Sequence, residues 1–213
     1  MKRAIIYSFM LGLVVVLGCK KKEKIEDNCT ATTGTCTFNF HHKVGPSAMA
    51  FNTDYTNGAG VLYRFTRADF YWRIKGILEH DMVTPYYTND QYFLINPDVA
   101  SVTYNDVPAG SVHNLDWGLG VDSTTNHLDP TTYGSGDPLG PQSPSMHWAW
   151  SSGYIFCVVE GMADIDGSGT IDSGETFAFH VGMDTNYRDG NMLHIDGAVV
   201  GGQDTIIELD VDY

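Results

Sequence analysis

Basic residues are scarce in this chain, which has 12 Lys and Arg against 26 Asp and Glu in 213 residues. Half of the cations (Lys2, Arg3, Lys20, Lys21, Lys22 and Lys24) precede residue 29, where Glu23, Glu26 and Asp27 are the acids. Residues 29–213 therefore hold 6 basic and 23 acidic groups, a net charge of −17. A surface this acidic repels phosphate backbones, which excludes nucleic acid as a partner and favours cations and cationic proteins. The chain also lacks a G-x-S-x-G elbow, an H-E-x-x-H pair and a phosphate loop, so its many Ser, His and Asp residues fit no hydrolase pattern. We do not expect an enzyme. No long amphipathic helical pattern and no internal repeat are present.

A long hydrophobic run is missing as well. The longest, Ala4 to Leu17 in "MKRAIIYSFMLGLVVVLGC", is short of the about 20 residues that span a bilayer. With Lys2 and Arg3 before it and V-L-G-C after it, residues 1–19 are a secretory signal ending in a lipobox-like site, with Cys19 the lipidated residue. Residues 20–28, "KKKEKIEDN", are a solvated tether. The expected location is a bacterial cell envelope, with the lipid as the membrane contact, facing the periplasm or the cell surface at the outer membrane.

Cysteine is sparse, at four residues. Beyond Cys19, Cys29 and Cys36 in "CTATTGTC" can close a small disulfide loop in an oxidising compartment. Cys157, inside "GYIFCVVEG", is a packed strand residue.

What is abundant is short apolar or alternating segments, broken every ten to fifteen residues by Gly, Pro, Asn or Asp. They include "CTFNFHHKV", "GVLYRFTRADFYWRI", "QYFLIN", "SVTYNDV", "SVHNLDWGLGV", "MHWAW", "GYIFCVVEG", "TFAFHVGM", "MLHIDG" and "DTIIELDV". This predicts one all-β domain over 29–213, an antiparallel sandwich or barrel. Residues 123–145 form a long Pro/Gly/Ser-rich loop of a length that is often functional.

"DIDGSGTIDSGE", 164–175, matches the twelve-residue calcium loop. Asp164, Asp166 and Ser168 occupy positions 1, 3 and 5, with Gly169 at the sharp turn. Thr170 offers its carbonyl at position 7, Asp172 stands at 9 and Glu175 at 12. Calcium takes six to eight hard oxygens, and alternate carboxylates on a tight loop converge on one point. Strand-like flanks replace the usual helix pair, so we expect a structural staple between two strands rather than a sensor.

"PSMHWAWSSGY", 144–154, places Met146, Trp148 and Trp150 on one face of an extended segment and His147 on the other. Such residues commonly pack a core, and an intact indole has no free lone pair for a metal. A thioether, however, is a soft ligand for Cu(I), and imidazole suits copper too. Residues two apart on a strand are about 6.6 Å apart, so Met146 and the side chain at 148 can share one ion. Among the histidines, His42 shares a face with Phe38, Phe40 and Val44, while His180 lies opposite Phe177 and Phe179. His127 sits in the long loop; spacing alone does not choose between these three.

After "VPAG", the stretches "LGVDSTTNHLDP", "MHWAWSSGYIFCVVEG" and "FAFHVG" together resemble the methanobactin-operon family of periplasmic copper-binding proteins (MbnP-like), its lipoprotein members in particular. The resemblance spans roughly 36–213 and is most specific at W-x-W followed by G-Y-x-F. It implies that the first Trp of W-x-W, Trp148, is oxidised to kynurenine by a partner di-haem peroxidase of the MauG-like type. The product, with a Met, a His and solvent, then binds one Cu(I). On this chain it implies Met146 as the thioether and His180 as the first choice of imidazole, ahead of His127 and His42. Trp150 would stay unmodified. The competing expectation is a calcium-stabilised surface module for protein or glycan partners, with "FYW" (70–72) and "PYY" (85–87) as contacts.

Overall fold

The computed structural model describes residues 32–148, 153–190 and 193–213. The signal, the tether, Cys19, Cys29 with its pairing to Cys36, and Trp150 lie outside the described residues. Twelve strands appear in chain order. The first half comprises β1 (Thr33–Val44), β2 (Ser47–Ala48), β3 (Tyr55–Thr56), β4 (Leu62–Leu78), β5 (Pro85–Ile95) and β6 (Ser101–Pro108). The second comprises β7 (Gly110–Leu119), β8 (Ile155–Ala163), β9 (Thr176–Gly182), β10 (Arg188–Asp189), β11 (Leu193–Val199) and β12 (Asp204–Asp212). Among the described residues, helix is confined to the four-residue α1 (Ser123–Asn126) and two 3-10 turns, and no helix is long and apolar enough to cross a membrane.

The strands form two sheets. One holds β12, β1, β2 and β6; the larger runs β10-β7-β4-β8-β9, with β11 beside β7 and with β3 and β5 beside β4. This is the expected sandwich with one difference: β1 and β12 pair in parallel, Thr35 with Asp204 through Lys43 with Asp212. Local alternation marks a strand but does not say which way its neighbour runs.

β4 organises the molecule. Its 17 residues pair with β8 along the first half, with β7 along the second, and with β5 on the opposite edge. Its two faces enter different cores. Trp72 and Ile74 join Phe38 and Phe40 of β1 between the sheets. Tyr71 enters a second core with Val121, Leu139, Met146, Tyr154, Ile155, Phe156 and Val158.

The 123–145 loop builds the outer wall of that second core. Leu139 is buried, and the loop's carbonyls accept from Tyr71 Oη (Pro138 O, 2.9 Å) and Tyr154 Oη (Leu139 O, 2.6 Å). Both faces of β4 are thus covered, and the consecutive aromatics of "FYW" are interior: Tyr71 is 0% and Trp72 3% exposed. Tyr86 and Tyr87 of "PYY" open β5 and pack partly buried against the first core. Neither cluster forms an exposed aromatic patch.

Candidate metal centre

Met146 to Trp148 lie antiparallel to 153–155. Ile155 N donates to Met146 O at 2.8 Å and Trp148 N to Gly153 O at 3.1 Å, with His147 and Tyr154 as the bridged pair. Among the described residues the pairing expected of "MHWAW" is this bridge, and residues 149–152 are outside the described residues. Alternation holds within it. Met146 is 2% exposed in the second core, with Trp148 packed against that core. His147 instead meets the Tyr154 ring edge to face, 5.1 Å between centroids.

Strand register brings the remaining groups to the same place. β4 pairs Arg67 with Glu160 and Asp69 with Val158, while β8 pairs Val158 with His180 and Ile155 with Gly182. Directly paired residues share a sheet face. Arg67, Asp69 and Tyr71 of β4, Val158 and Glu160 of β8, and His180 and Gly182 of β9 therefore all face the second core.

Contacts link them. Arg67 Nη2 donates to Met146 Sδ at 3.2 Å, Arg67 Nη1 lies 3.7 Å from Glu160 Oε1, and Glu160 Oε1 is 2.7 Å from His180 Nε2. The Trp148 ring lies over Gly182, where a Cβ would come within 2.4 Å of its Cη2 and Cζ3. Met146 is thereby linked to His180 through Arg67 and Glu160, and Trp148 packs on Gly182, two residues along β9 from His180. A thioether and an imidazole are a soft-to-intermediate donor set that fits Cu(I).

The other histidines are placed elsewhere. His42 has both ring nitrogens engaged, Nδ1 with Tyr213 Oη at 2.9 Å and Nε2 with Val99 O at 3.0 Å, and it stacks on Tyr213. His127 is bonded to Asp184 Oδ2 at 3.1 Å, just beyond the end of β9. Asp184 also accepts from Asn126 Nδ2 and Ser123 Oγ, both at 2.8 Å. Those three donors, Asn126 foremost, hold its carboxyl down at about 2. His127 thus ties α1 to the turn after β9. Cys36 is fully buried in the first core, where burial, with Asp204 adding to it, lifts its thiol to about 11. Cys157 is half-buried, and burial raises its thiol too.

A cleft of about 660 Å³ opens between the sheets, lined by Phe40, Phe70, Trp72, Cys157, Val159 and Val181 among others. Its apolar wall is the face of β4, β8 and β9 opposite to Arg67 and His180. Met146, Trp148 and His180 are not among its lining residues, and the side-chain chemistry is the better guide to a metal.

The second cluster caps the same hairpin. Residues 164–175 connect β8 to β9, and single carboxylate oxygens of Asp164, Asp166 and Glu175 all lie within 4.8 Å of one another. Backbone amides shape the loop. Gly167 N and Ser168 N donate to Asp164 Oδ1, and Gly169 N to Asp164 Oδ2, each at 2.9 Å. Glu175 accepts from Ile165 N at 2.8 Å and Asp172 N at 2.7 Å, and these amides hold its carboxyl below the usual range, Asp172 first. Gly167 and Gly169, with φ of 77° and 85°, supply left-handed turns. Ser168 Oγ donates to Thr170 O at 3.1 Å. The Asp172 carboxylate is not in the converging trio, as suits a position that often binds through water. This all-oxygen set fits a hard divalent cation.

Sequence reasoning missed Arg67, Asp69, Glu160 and Gly182. Arg67 and Asp69 are visible as alternate residues of one strand. The pairing of Arg67 with Glu160 and of Asp69 with Val158 requires a register that no local pattern carries.

No curated protein matches this chain. Among solved structures, it is similar to MbnP from Methylosinus trichosporium at 14% identity, covering 84% of this chain and 76% of that one with a TM-score of 0.47. The MbnP family model matches residues 33–213, from the start of β1 to the last residue, and the chain belongs to the MbnP family.

Proposed function

We propose that this is a lipid-anchored, extracytoplasmic copper-binding protein, with Met146, His180 and an oxidised Trp148 as its Cu(I) ligands. One observation supports the reading: side-chain contacts run from the Met146 thioether through Arg67 and Glu160 to the His180 imidazole, and the Trp148 ring lies on Gly182 of the same strand as His180. His180 is favoured over His127 and His42 because it is the histidine linked to Met146, through Arg67 and Glu160. Opening the indole to kynurenine supplies an aromatic amine and a ketone where the intact ring offers no lone pair. A di-haem peroxidase of the MauG-like type would perform this oxidation, and the chain would be its substrate rather than a catalyst. Lipidation at Cys19 would hold the domain to the envelope, and copper uptake or homeostasis is the role that follows.

Calcium at Asp164, Asp166, Ser168, Thr170, Asp172 and Glu175 would pin the tip of the β8–β9 hairpin. The surface-module reading is weakened, because Tyr71 and Trp72 are buried and Phe70, Tyr86 and Tyr87 pack partly buried against the first core.

Peptide mass analysis of protein isolated from its own host, with copper quantified in the same sample, tests the proposal. We expect Trp148 to lose one carbon and gain one oxygen, with about one copper per chain on the stoichiometry of a single-ion site. Intact Trp148 without copper, from copper-replete cells that express a di-haem peroxidase, would refute it.

A further inference from the structure

Two of the three ligands proposed above, Met146 and His180, already have partners. Arg67 Nη2 points at Met146 Sδ from 3.2 Å and also donates to Ser145 O at 3.3 Å. His180 Nε2 is on Glu160, whose Oε1 is 3.7 Å from Arg67 Nη1. The guanidinium is anchored by Asp69 (Nε to Oδ2, 2.5 Å), and both side chains are only 14% exposed. A cation therefore lies between thioether and imidazole, on the path that would join them.

We infer that Arg67 is a built-in competitor for the copper site: its guanidinium occupies the ligand cluster, and Cu(I) binds by displacing it. This rests on the copper reading and deepens it. Asp69 and Glu160 are partly desolvated carboxylates that need a nearby positive charge. Guanidinium and Cu(I) each carry one, so exchanging them leaves the net charge of the cluster unchanged. The preference for a soft metal comes from the donor set, a thioether with an imidazole. The displaced guanidinium turns to solvent and returns to Asp69, two residues along β4, to close the cluster after metal release. The closed population lowers apparent affinity in proportion to the fraction of chains in which the ligands are free.

Cu(I) titration against a chromophoric Cu(I) chelator, on host-matured wild type, Arg67→Leu and Arg67→Lys, tests the competition, with a thermal melt of each. Arg67→Leu should bind Cu(I) tighter by roughly tenfold or more, because the closed state is removed. Arg67→Lys, which keeps the charge without the fork, should fall between. A cooperatively melting Leu variant with unchanged or weaker affinity overturns the inference. Arg67 also pins residues 144–146, so a second readout avoids mutation. In isotope-labelled wild type, the Arg67 Nε–H resonance should shift on Cu(I) addition and return on chelation, and a resonance that stays put while copper binds overturns the competition. Copper bound by wild type without either effect removes only Arg67's role, whereas no copper on any of the three chains removes the copper site with it.

Discussion

Trp148 owes its position to a residue with no side chain. With a Cβ at position 182 falling 2.4 Å from the indole, Gly182→Ala must push the ring out of the second core or deform the end of β9. Overpacking of this kind costs about 1–3 kcal/mol, so the denaturant midpoint of Gly182→Ala should fall, with altered Trp148 fluorescence. Gly182→Ala with wild-type stability and emission would show that the ring does not depend on that contact.

Asp184 gives a second test at this scale. Its folded carboxyl lies near 2, below the ordinary 3.8, so its bonds to Asn126, His127 and Ser123 favour the folded state above about pH 4. That contribution fades as pH falls from 3.8 toward 2. Wild type should lose urea resistance across this window by an increment absent from Asp184→Asn. Single residues were legible where chemistry is local, as with Met146, Trp148 and the calcium-loop carboxylates. His180 could not be distinguished from His42 and His127 in the sequence, because what separates them is what each nitrogen touches across the sheet.

The β8–β9 hairpin joins the two proposed metal sites in one element. Its connecting loop gathers Asp164, Asp166 and Glu175, its middle carries Glu160 and His180, and its far end presents Gly182 to Trp148. From Thr176 to His180 the strand advances about 13 Å at 3.3 Å per residue. A cation at the loop fixes the relative register of β8 and β9, and with it the Glu160–His180 contact. Calcium at a hundredfold excess over its Kd should stabilise the domain by about 2.7 kcal/mol, raising the melting temperature. Glu175→Gln should abolish that rise, and a wild-type melt indifferent to millimolar calcium would count against the site.

Most strands were readable from alternation and turn residues, including both arms of this hairpin. Three features were not. β5 starts at Pro85, ahead of the "QYFLIN" legible as a strand, because a Pro and the Thr-Asn-Asp of 88–90 interrupt the apolar alternation. Of "MHWAW", which has the pattern of a strand, the described residues 146–148 pair through a bridge at His147. The loop of 123–145, unpatterned in itself, contains α1 and roofs a core whose other walls lie elsewhere in the chain.

Across the whole molecule, the net charge of −17 over residues 29–213 sets how partners approach. Encounter with a cationic protein should slow steeply as salt rises, and association rates measured with the proposed peroxidase would test whether it approaches in this way. A rate flat in ionic strength would point to apolar docking instead. The sandwich was legible because each sheet has its own alternation; the order of strands was not, since it depends on contacts between distant segments.

One such contact also sets a timetable. β1 begins at Thr33 and its parallel partner β12 ends at Asp212, so the first strand of the domain lies beside the last. A chain made, or threaded through a translocon, from its N-terminus presents β1 long before β12 exists. Until then one edge of β1 is unpaired, and closure must wait for the final ten residues. The long loop that closure spans makes the step slow. The domain is sealed from its tail, so a chain that loses those last residues would leave its first strand open to pairing with a neighbour.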